Sequence, residues 1–110
     1  MKDIVLLWLF VGLLFIGTSI PLIQRKVPRN RWYGLRVAKT FSSERIWYEA
    51  NQVAGYDLLW AGVAIAITAM LTGSLSRQLG STATHTINLA VFISSLVVAF
   101  VHSFLNLNRL

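Results

Sequence analysis

Hydrophobic residues along this chain are gathered into long runs that contain no Lys, Arg, Asp or Glu. There are three such runs: Ile4–Gln24, Leu58–Ser76 and Gln78–Asn108. About 20 helical residues, rising 1.5 Å each, cross the ~30 Å hydrocarbon core of a bilayer. Each run therefore has room for one crossing, and the third run also has polar ends. The pattern predicts three transmembrane helices, over residues 4–23, 58–76 and 86–105.

The segment between the first two runs, residues 24–57, is polar but not featureless. In its second half, apolar residues from Ile46 to Ala54 recur on one face of a helix. Ser42 is a suitable N-cap, Glu44 would lie in the first turn, and Gly55 would end the helix. The sequence thus predicts an all-α integral membrane protein, one domain over residues 1–110, with a short amphipathic interfacial helix in its first loop.

Composition and charge support this interpretation and predict an orientation. Of the 110 residues, 55% are hydrophobic and 13% are charged, which is typical of a protein in lipid. Seven of the ten basic residues lie between Arg25 and Arg45, so the positive-inside rule places that loop in the cytoplasm. The amino terminus and the polar turn at residues 77–85 then lie outside, and the carboxyl terminus inside. A signal peptide is disfavoured because positive charge follows the first run instead of preceding it.

The second and third predicted helices carry different patterns of small and polar residues. Small residues recur every four positions in the second helix, which allows close approach of another helix in lipid. They are Gly62, Ala64, Ala66, Thr68, Ala69, Thr72 and Gly73. In the third helix, Asn88, Ser95 and His102 are seven residues apart and form a polar stripe on one face. For His102, both a hydrogen-bonding role and a proton or ligand role remain open.

Several kinds of chemistry are disfavoured by the residues that the chain lacks. It has no cysteine, and its predicted spans contain no carboxylate pair, no paired nucleophile and base, and no charge. We therefore expect neither an enzyme nor a transporter, and no cofactor. A metal site is not expected either, because His85 and His102 are predicted at opposite faces of the membrane.

The basic loop offers three kinds of partner. Anionic lipid headgroups would account for its charge, and a protein with an acidic surface would use the same groups. A second copy of the chain would instead pack against the small residues of the second helix. Nucleic-acid binding uses similar residues, basic ones interleaved with aromatics, but a membrane-tethered loop explains them without it. We expect lipid and protein partners and no nucleic acid.

The loop also contains a motif that spans both of its halves. The run P-R-N-R-W-Y-G-L-R is followed by Thr40 and then by S-S-E-R-I-W-Y-E-A-N. This arrangement resembles the signature of the SdpI family of bacterial membrane proteins. The matching positions are Pro28, Asn30, Tyr33, Gly34, Arg36, Thr40, Trp47, Asn51 and Gly55.

The resemblance implies a non-enzymatic protein of the bacterial cytoplasmic membrane. The founding member of the family protects against a secreted toxin peptide that acts on the membrane, and it also signals by holding a transcriptional repressor at the membrane. This chain departs from that member in having three predicted helices instead of more, and in carrying Val37 and Lys39 where Thr and an aromatic residue are expected. A small accessory subunit of a larger membrane complex is the alternative function.

Two roles are open for the motif residues. Asn30 and Arg36 are rigid multidentate groups that could clamp the interfacial helix, a lipid phosphate or the carboxylate of a partner. Glu49 and Asn51 are expected within reach of them. The motif either holds the loop against the helix ends or forms a recognition site.

Overall fold

The computed structural model describes residues 2–110 and is built from helices. Their bounds are α1 Lys2–Ile23, α2 Ala38–Phe41, α3 Glu44–Ser74 and α4 Ser76–Asn108. The three long helices are each long and apolar enough to cross a membrane. They form an elongated bundle of 52 × 22 × 18 Å. The predicted fold class, all-α with three helices able to span a membrane, is confirmed, and the short helix of the first loop is α2.

Helices α1 and α3 are antiparallel and approach each other closely at glycines. A Cβ atom on Gly12 would lie 2.7 Å from the backbone nitrogen of Ala66 and 2.8 Å from the carbonyl oxygen of Gly62. A Cβ atom on Gly62 would in turn lie 2.8 Å from the Gly12 oxygen. Since lipid removes the hydrophobic drive between helices, this close approach matters because it allows the van der Waals packing that holds helices together in a membrane.

The packed centre of the bundle lies between all three long helices. Trp8 from α1 is buried with Ile65 and Ala69 from α3, and Phe92 from α4 packs against them. The Trp8 and Phe92 rings are 5.4 Å apart and tilted, and the indole N–H of Trp8 donates to His85 Nδ1 at 3.2 Å. The indole thus fills the centre while its polar edge reaches α4.

The predicted interfacial helix is not a separate element. Its N-cap is Ser43, one residue later than expected, whose hydroxyl accepts from the Ile46 N–H at 3.1 Å. The helix then continues through Gly55 to Ser74 because Gly55 lies against α1, where a Cβ atom would be 2.9 Å from Leu22 Cβ. Gly55 is therefore a contact glycine and not a helix end. The 31 residues of α3 measure about 46 Å, longer than the hydrocarbon core.

The predicted polar turn at residues 77–85 is also mostly helical. A break at Leu75 separates α3 from α4, but the chain reverses at Gly80, the one non-helical residue inside α4, with φ 80° and ψ 167°. The α3–α4 pairs Thr72–Asn88 and Asp57–Ser103 are both centred on this position, within the predicted turn. A positive φ costs glycine nothing, so the chain can change direction at Gly80 and resume the helix at once. We call one end of the bundle the loop end: it is the end at which α1 and α4 finish and α3 begins.

The end of α1 is joined to α3 by side-chain contacts. Arg25 has a positive φ of 58°, and the N–H of Lys26 donates to the Pro21 carbonyl at 3.0 Å, as in a Schellman cap. Gln52 on α3 accepts from the Arg25 guanidinium and donates to the Ile23 carbonyl at 2.9 Å. These bonds place the α1–α3 connection, residues 24–43, directly over the first turns of α3.

Candidate functional site

Asn30 organises the first turn of the α1–α3 connection. Its side-chain oxygen accepts from the backbone N–H groups of Trp32 at 2.8 Å and Tyr33 at 2.7 Å. Its amide nitrogen donates to the carbonyl oxygens of Pro28 at 2.8 Å and Tyr33 at 3.1 Å. Asparagine commonly stabilises turns through such local bonds. All of these bonds stay inside the turn, so Asn30 shapes the loop.

Asn51 attaches the same loop to α3. Its Oδ1 accepts from the Leu35 N–H, and its Nδ2 donates to the Leu35 carbonyl at 3.3 Å and to the Trp47 carbonyl at 2.9 Å. Gly34 precedes this contact with φ 108°, and a Cβ atom there would lie 2.6 Å from Asn51 Oδ1. Gly34 is required both for its backbone conformation and for the approach of the amide.

Trp47 and Thr40 hold the rest of the connection. Trp47 is fully buried on α3, and its indole N–H donates to the Val27 carbonyl at 2.8 Å. The buried Thr40 hydroxyl accepts from the Val37 N–H at 2.9 Å and donates to the Val37 carbonyl at 2.8 Å. Both side chains satisfy backbone groups that would otherwise lack a partner. In this fold, Trp47 and Thr40 therefore hold the connection in its conformation.

Arg36 is different from the other motif residues. It is exposed, and within residues 2–110 its guanidinium makes no hydrogen bond and no ion pair. Glu49, which was expected within its reach, pairs instead with Arg45 at 3.0 Å, and Glu44 lies 3.9 Å from Arg29. Asn51 bonds the Leu35 backbone and neither Asn30 nor Arg36. The structure thus leaves Arg36 as the charged motif residue that is available to bind something else.

Three other motif positions occupy different surroundings. Pro28 is exposed and contributes its carbonyl to the Asn30 turn, and Gly55 lies in the α1–α3 contact. The Tyr33 hydroxyl is buried and has no hydrogen-bond partner among residues 2–110. Burial raises the pKa of this hydroxyl above its usual value, so it stays protonated and able to donate.

A comparison with protein-family models assigns the chain to a family. The model described as the SdpI/YfhL protein family matches residues 26–104, which cover nearly all of the connection, all of α3 and most of α4. This chain belongs to the SdpI/YfhL family. The resemblance seen in the loop is therefore confirmed. Neither the comparison with curated proteins nor that with solved structures gave a match.

In this SdpI/YfhL-family protein, the small residues of α3 are mostly used within the chain. Gly62, Ala66 and Ala69 are buried toward α1 or the packed centre. A Cβ atom on Gly73 would lie 3.1 Å from Val5 on α1. Thr72 is buried against α4. Ala64 and Thr68 are partly exposed, and the Thr68 hydroxyl donates to the Ala64 carbonyl of its own helix.

The polar stripe on α4 does not form one site. Asn88 is buried and its amide nitrogen donates to Thr72 Oγ1 on α3 at 2.9 Å and to the Thr84 carbonyl at 2.8 Å. The Ser95 hydroxyl bonds carbonyls of its own helix. His102, at the loop end, bonds Asp57. The stripe therefore joins α4 to α3 at two levels, separated by Ser95.

The contact at Asp57 was not anticipated from the sequence. Both carboxylate oxygens lie 2.8 Å from His102 Nδ1, and the Ser103 hydroxyl donates to Oδ2 at 2.8 Å. The Asp57 side chain is 15% exposed and that of His102 is 62% exposed. A signal was present, since an acidic residue and a histidine at the same end of adjacent antiparallel helices can meet.

The cluster of Asp57, His102 and Ser103 connects two helices and does not have the geometry of a catalytic triad. In a Ser-His-Asp triad the histidine takes a proton from serine through the nitrogen that does not face the carboxylate. Here Ser103 bonds the carboxylate and not the imidazole, so the histidine cannot activate it in this geometry. Asp57 instead joins α3 to two consecutive residues of α4.

Proposed function

We propose that this protein acts by binding, as a non-enzymatic immunity or signalling protein of the bacterial cytoplasmic membrane. Membership of the SdpI/YfhL family and the three membrane-spanning helices support this proposal. The loop end faces the cytoplasm in the proposed orientation, because the α1–α3 connection carries six basic residues and no acidic one. The amino terminus then lies outside.

One observation carries the proposal: Arg36 has no partner in a loop whose other polar motif groups are largely occupied. The side chains of Asn30, Thr40 and Asn51 form hydrogen bonds to the backbone on either side of Arg36. An arginine can bind a carboxylate with two parallel bonds, and because the turn already holds its backbone, only the side chain has to be ordered on binding. The partner that fits is a protein or peptide with an exposed carboxylate.

The alternative, an accessory subunit that packs through the small residues of α3, has less support. Most of that face already lies against α1 within the chain, as described above for Gly62 and Ala66. A second protein would have to displace α1 to use it. Among the small residues of α3, Ala64 and Thr68 are the ones that stay partly exposed away from α1, and two such residues are too few for a comparable close contact.

A complementation experiment tests the proposal. A strain lacking the gene is exposed to the secreted peptide fraction of its own stationary-phase medium, and its membrane potential is followed with a voltage-sensitive dye. We expect the wild-type gene to protect the potential and Arg36→Gln to lose protection at an unchanged protein level. Arg31→Gln is the matched control, because Arg31 is also exposed in the same connection but lies outside the motif.

A binding readout covers the signalling branch of the proposal. Protein purified in mild detergent from both variants is compared by mass spectrometry for proteins that travel with it. A partner retained by Arg31→Gln and lost with Arg36→Gln supports recognition at the motif. Protection and partner retention that both survive Arg36→Gln would show that the motif is structural only.

A further inference from the structure

The most exposed large hydrophobic side chain among residues 2–110 lies in the connection. Trp32 is 87% exposed, and its indole N–H makes no hydrogen bond within these residues. The hydroxyl of the next residue, Tyr33, is buried, so one of two consecutive aromatic side chains is turned into the fold and the other out of it. Packing within the chain therefore accounts for Tyr33 but not for Trp32.

The backbone of Trp32 is held by the Asn30 turn. Its N–H donates to Asn30 Oδ1 at 2.8 Å, and the N–H of Tyr33 donates to the same atom at 2.7 Å. Because the turn already orders this backbone, only the indole side chain would lose conformational freedom on meeting a surface. An exposed tryptophan on an ordered turn is suited to a contact outside the chain.

Trp32 lies at the height where the apolar part of the bundle ends. Residues 33–35, which follow it directly, line an open groove together with Leu22 in the last turn of α1 and Phe104 on α4. Charged residues begin just after α1, at Arg25. The boundary between hydrocarbon and headgroups therefore passes close to this height. Tryptophan is enriched at that boundary because its ring is apolar and its N–H can donate to polar groups there.

Positive charge lies next to Trp32 along the chain. Arg31 is exposed, and within residues 2–110 its guanidinium makes no hydrogen bond and no ion pair. The two carboxylates at the start of α3, those of Glu44 and Glu49, are each in an ion pair with another arginine. Basic residues at a membrane surface attract anionic headgroups. The pair of an exposed tryptophan and an unpaired arginine thus fits the headgroup layer of a bilayer that contains anionic lipids.

We propose that Trp32 and Arg31 anchor the connection in the headgroup layer at the loop end, with the indole among the headgroups and the guanidinium on the phosphate groups of anionic lipids. The contact is with the membrane surface and is not a pocket for one bound lipid. It holds the Asn30 turn at the boundary and leaves Arg36 for the partner proposed above. The inference depends neither on that partner nor on the side of the membrane that the loop end faces.

Tryptophan fluorescence of the full-length protein in lipid nanodiscs tests the inference. The emission that is lost in Trp32→Phe is that of Trp32, and this substitution should leave the fold intact because the side chain is almost fully exposed. In nanodiscs of phosphatidylglycerol and phosphatidylethanolamine, lipids brominated near the headgroup end of their chains should quench this emission, and acrylamide in the water should quench it little. Trp60, 66% exposed on α3 within the predicted span, is the matched control, and its emission, measured with Trp60→Phe, should also be quenched by the lipid.

Two further comparisons test the role of charge. Replacing phosphatidylglycerol by phosphatidylcholine should weaken the quenching of Trp32 by brominated lipid and leave that of Trp60 unchanged. Arg31→Gln should weaken the quenching of Trp32 in the same way, and Arg36→Gln should not. Quenching of Trp32 that is the same with and without phosphatidylglycerol would overturn the role of anionic headgroups.

The alternative is that Trp32 is kept in water for a partner protein. Strong quenching of Trp32 by acrylamide, without quenching by brominated lipid, would show this and would overturn the membrane anchor. Because the nanodiscs contain no partner protein, this result is separate from the success or failure of the binding proposed for Arg36.

Discussion

Asn51 on α3 holds both backbone polar groups of Leu35 in the connection, and a Cβ atom on the preceding Gly34 would lie 2.6 Å from its Oδ1. A side chain two turns into a long helix thus positions a loop residue that precedes it by 16 positions. This contact explains why an asparagine and a glycine of the motif occur together. The loop conformation depends on the pair.

We expect Gly34→Ala to loosen the connection while the three long helices stay folded. The substitution combines a strained positive φ, at a cost of about 1–3 kcal/mol, with a collision against the Asn51 amide. Hydrogen exchange should rise at the amides of residues 32–36 and stay unchanged in α4. Gly80→Ala is the comparison, because it shares the positive φ but has no atom within 4 Å of its added Cβ. Equal exchange in wild type and Gly34→Ala would contradict the role of this contact.

The α1–α3 contact predicts opposite effects for two glycines on α1. Gly12→Ala should destabilise the bundle by about 1–3 kcal/mol, because its Cβ would press on the backbone of α3. Gly17→Ala should be neutral or slightly stabilising, since nothing lies within 4 Å of its Cβ and alanine favours a helix by about 0.5–1 kcal/mol over glycine. Thermal unfolding in detergent compares the two. A similar loss of stability in both would mean that the helices do not approach at Gly12.

Removal of the Asp57 carboxylate should release the loop end of α4. Asp57→Ala takes the acceptor from both His102 and Ser103, and we expect a loss of about 1 kcal/mol because the histidine is largely exposed. Spin labels placed at Tyr56 and Leu105 should show a broader distance distribution in this variant. Ser94→Ala is the control, since the Ser94 hydroxyl bonds only its own helix. An unchanged distribution would show that apolar packing alone holds α4 there.

The proposed orientation predicts opposite labelling of the two ends of the bundle. The natural sequence has no cysteine, so Ala38→Cys in α2 and Ser81→Cys after Gly80 each introduce one thiol, and both positions are exposed. A membrane-impermeant maleimide added to intact cells should label Ser81→Cys and label Ala38→Cys only after permeabilisation. Labelling of Ala38→Cys from outside would reverse the proposed topology.

The sequence alone determined the features that depend on composition over many residues. Uncharged runs long enough to cross a bilayer predicted the three long helices, because a charge in hydrocarbon is costly and each span must satisfy its own backbone. The family was identified correctly from the spacing of Pro28, Asn30, Gly34 and Arg36. Both features depend only on the order of neighbouring residues in the sequence.

Only the tertiary structure decided what individual residues contact. Gly55 resembled a helix end in the sequence, but the proximity of Leu22 makes it a contact position, so α3 runs on without a break. The partner of His102 is Asp57, 45 residues away, and no local pattern specifies a pairing at that distance. The division of the motif into residues that hold the loop and an arginine left available likewise depends on how three helices meet in space.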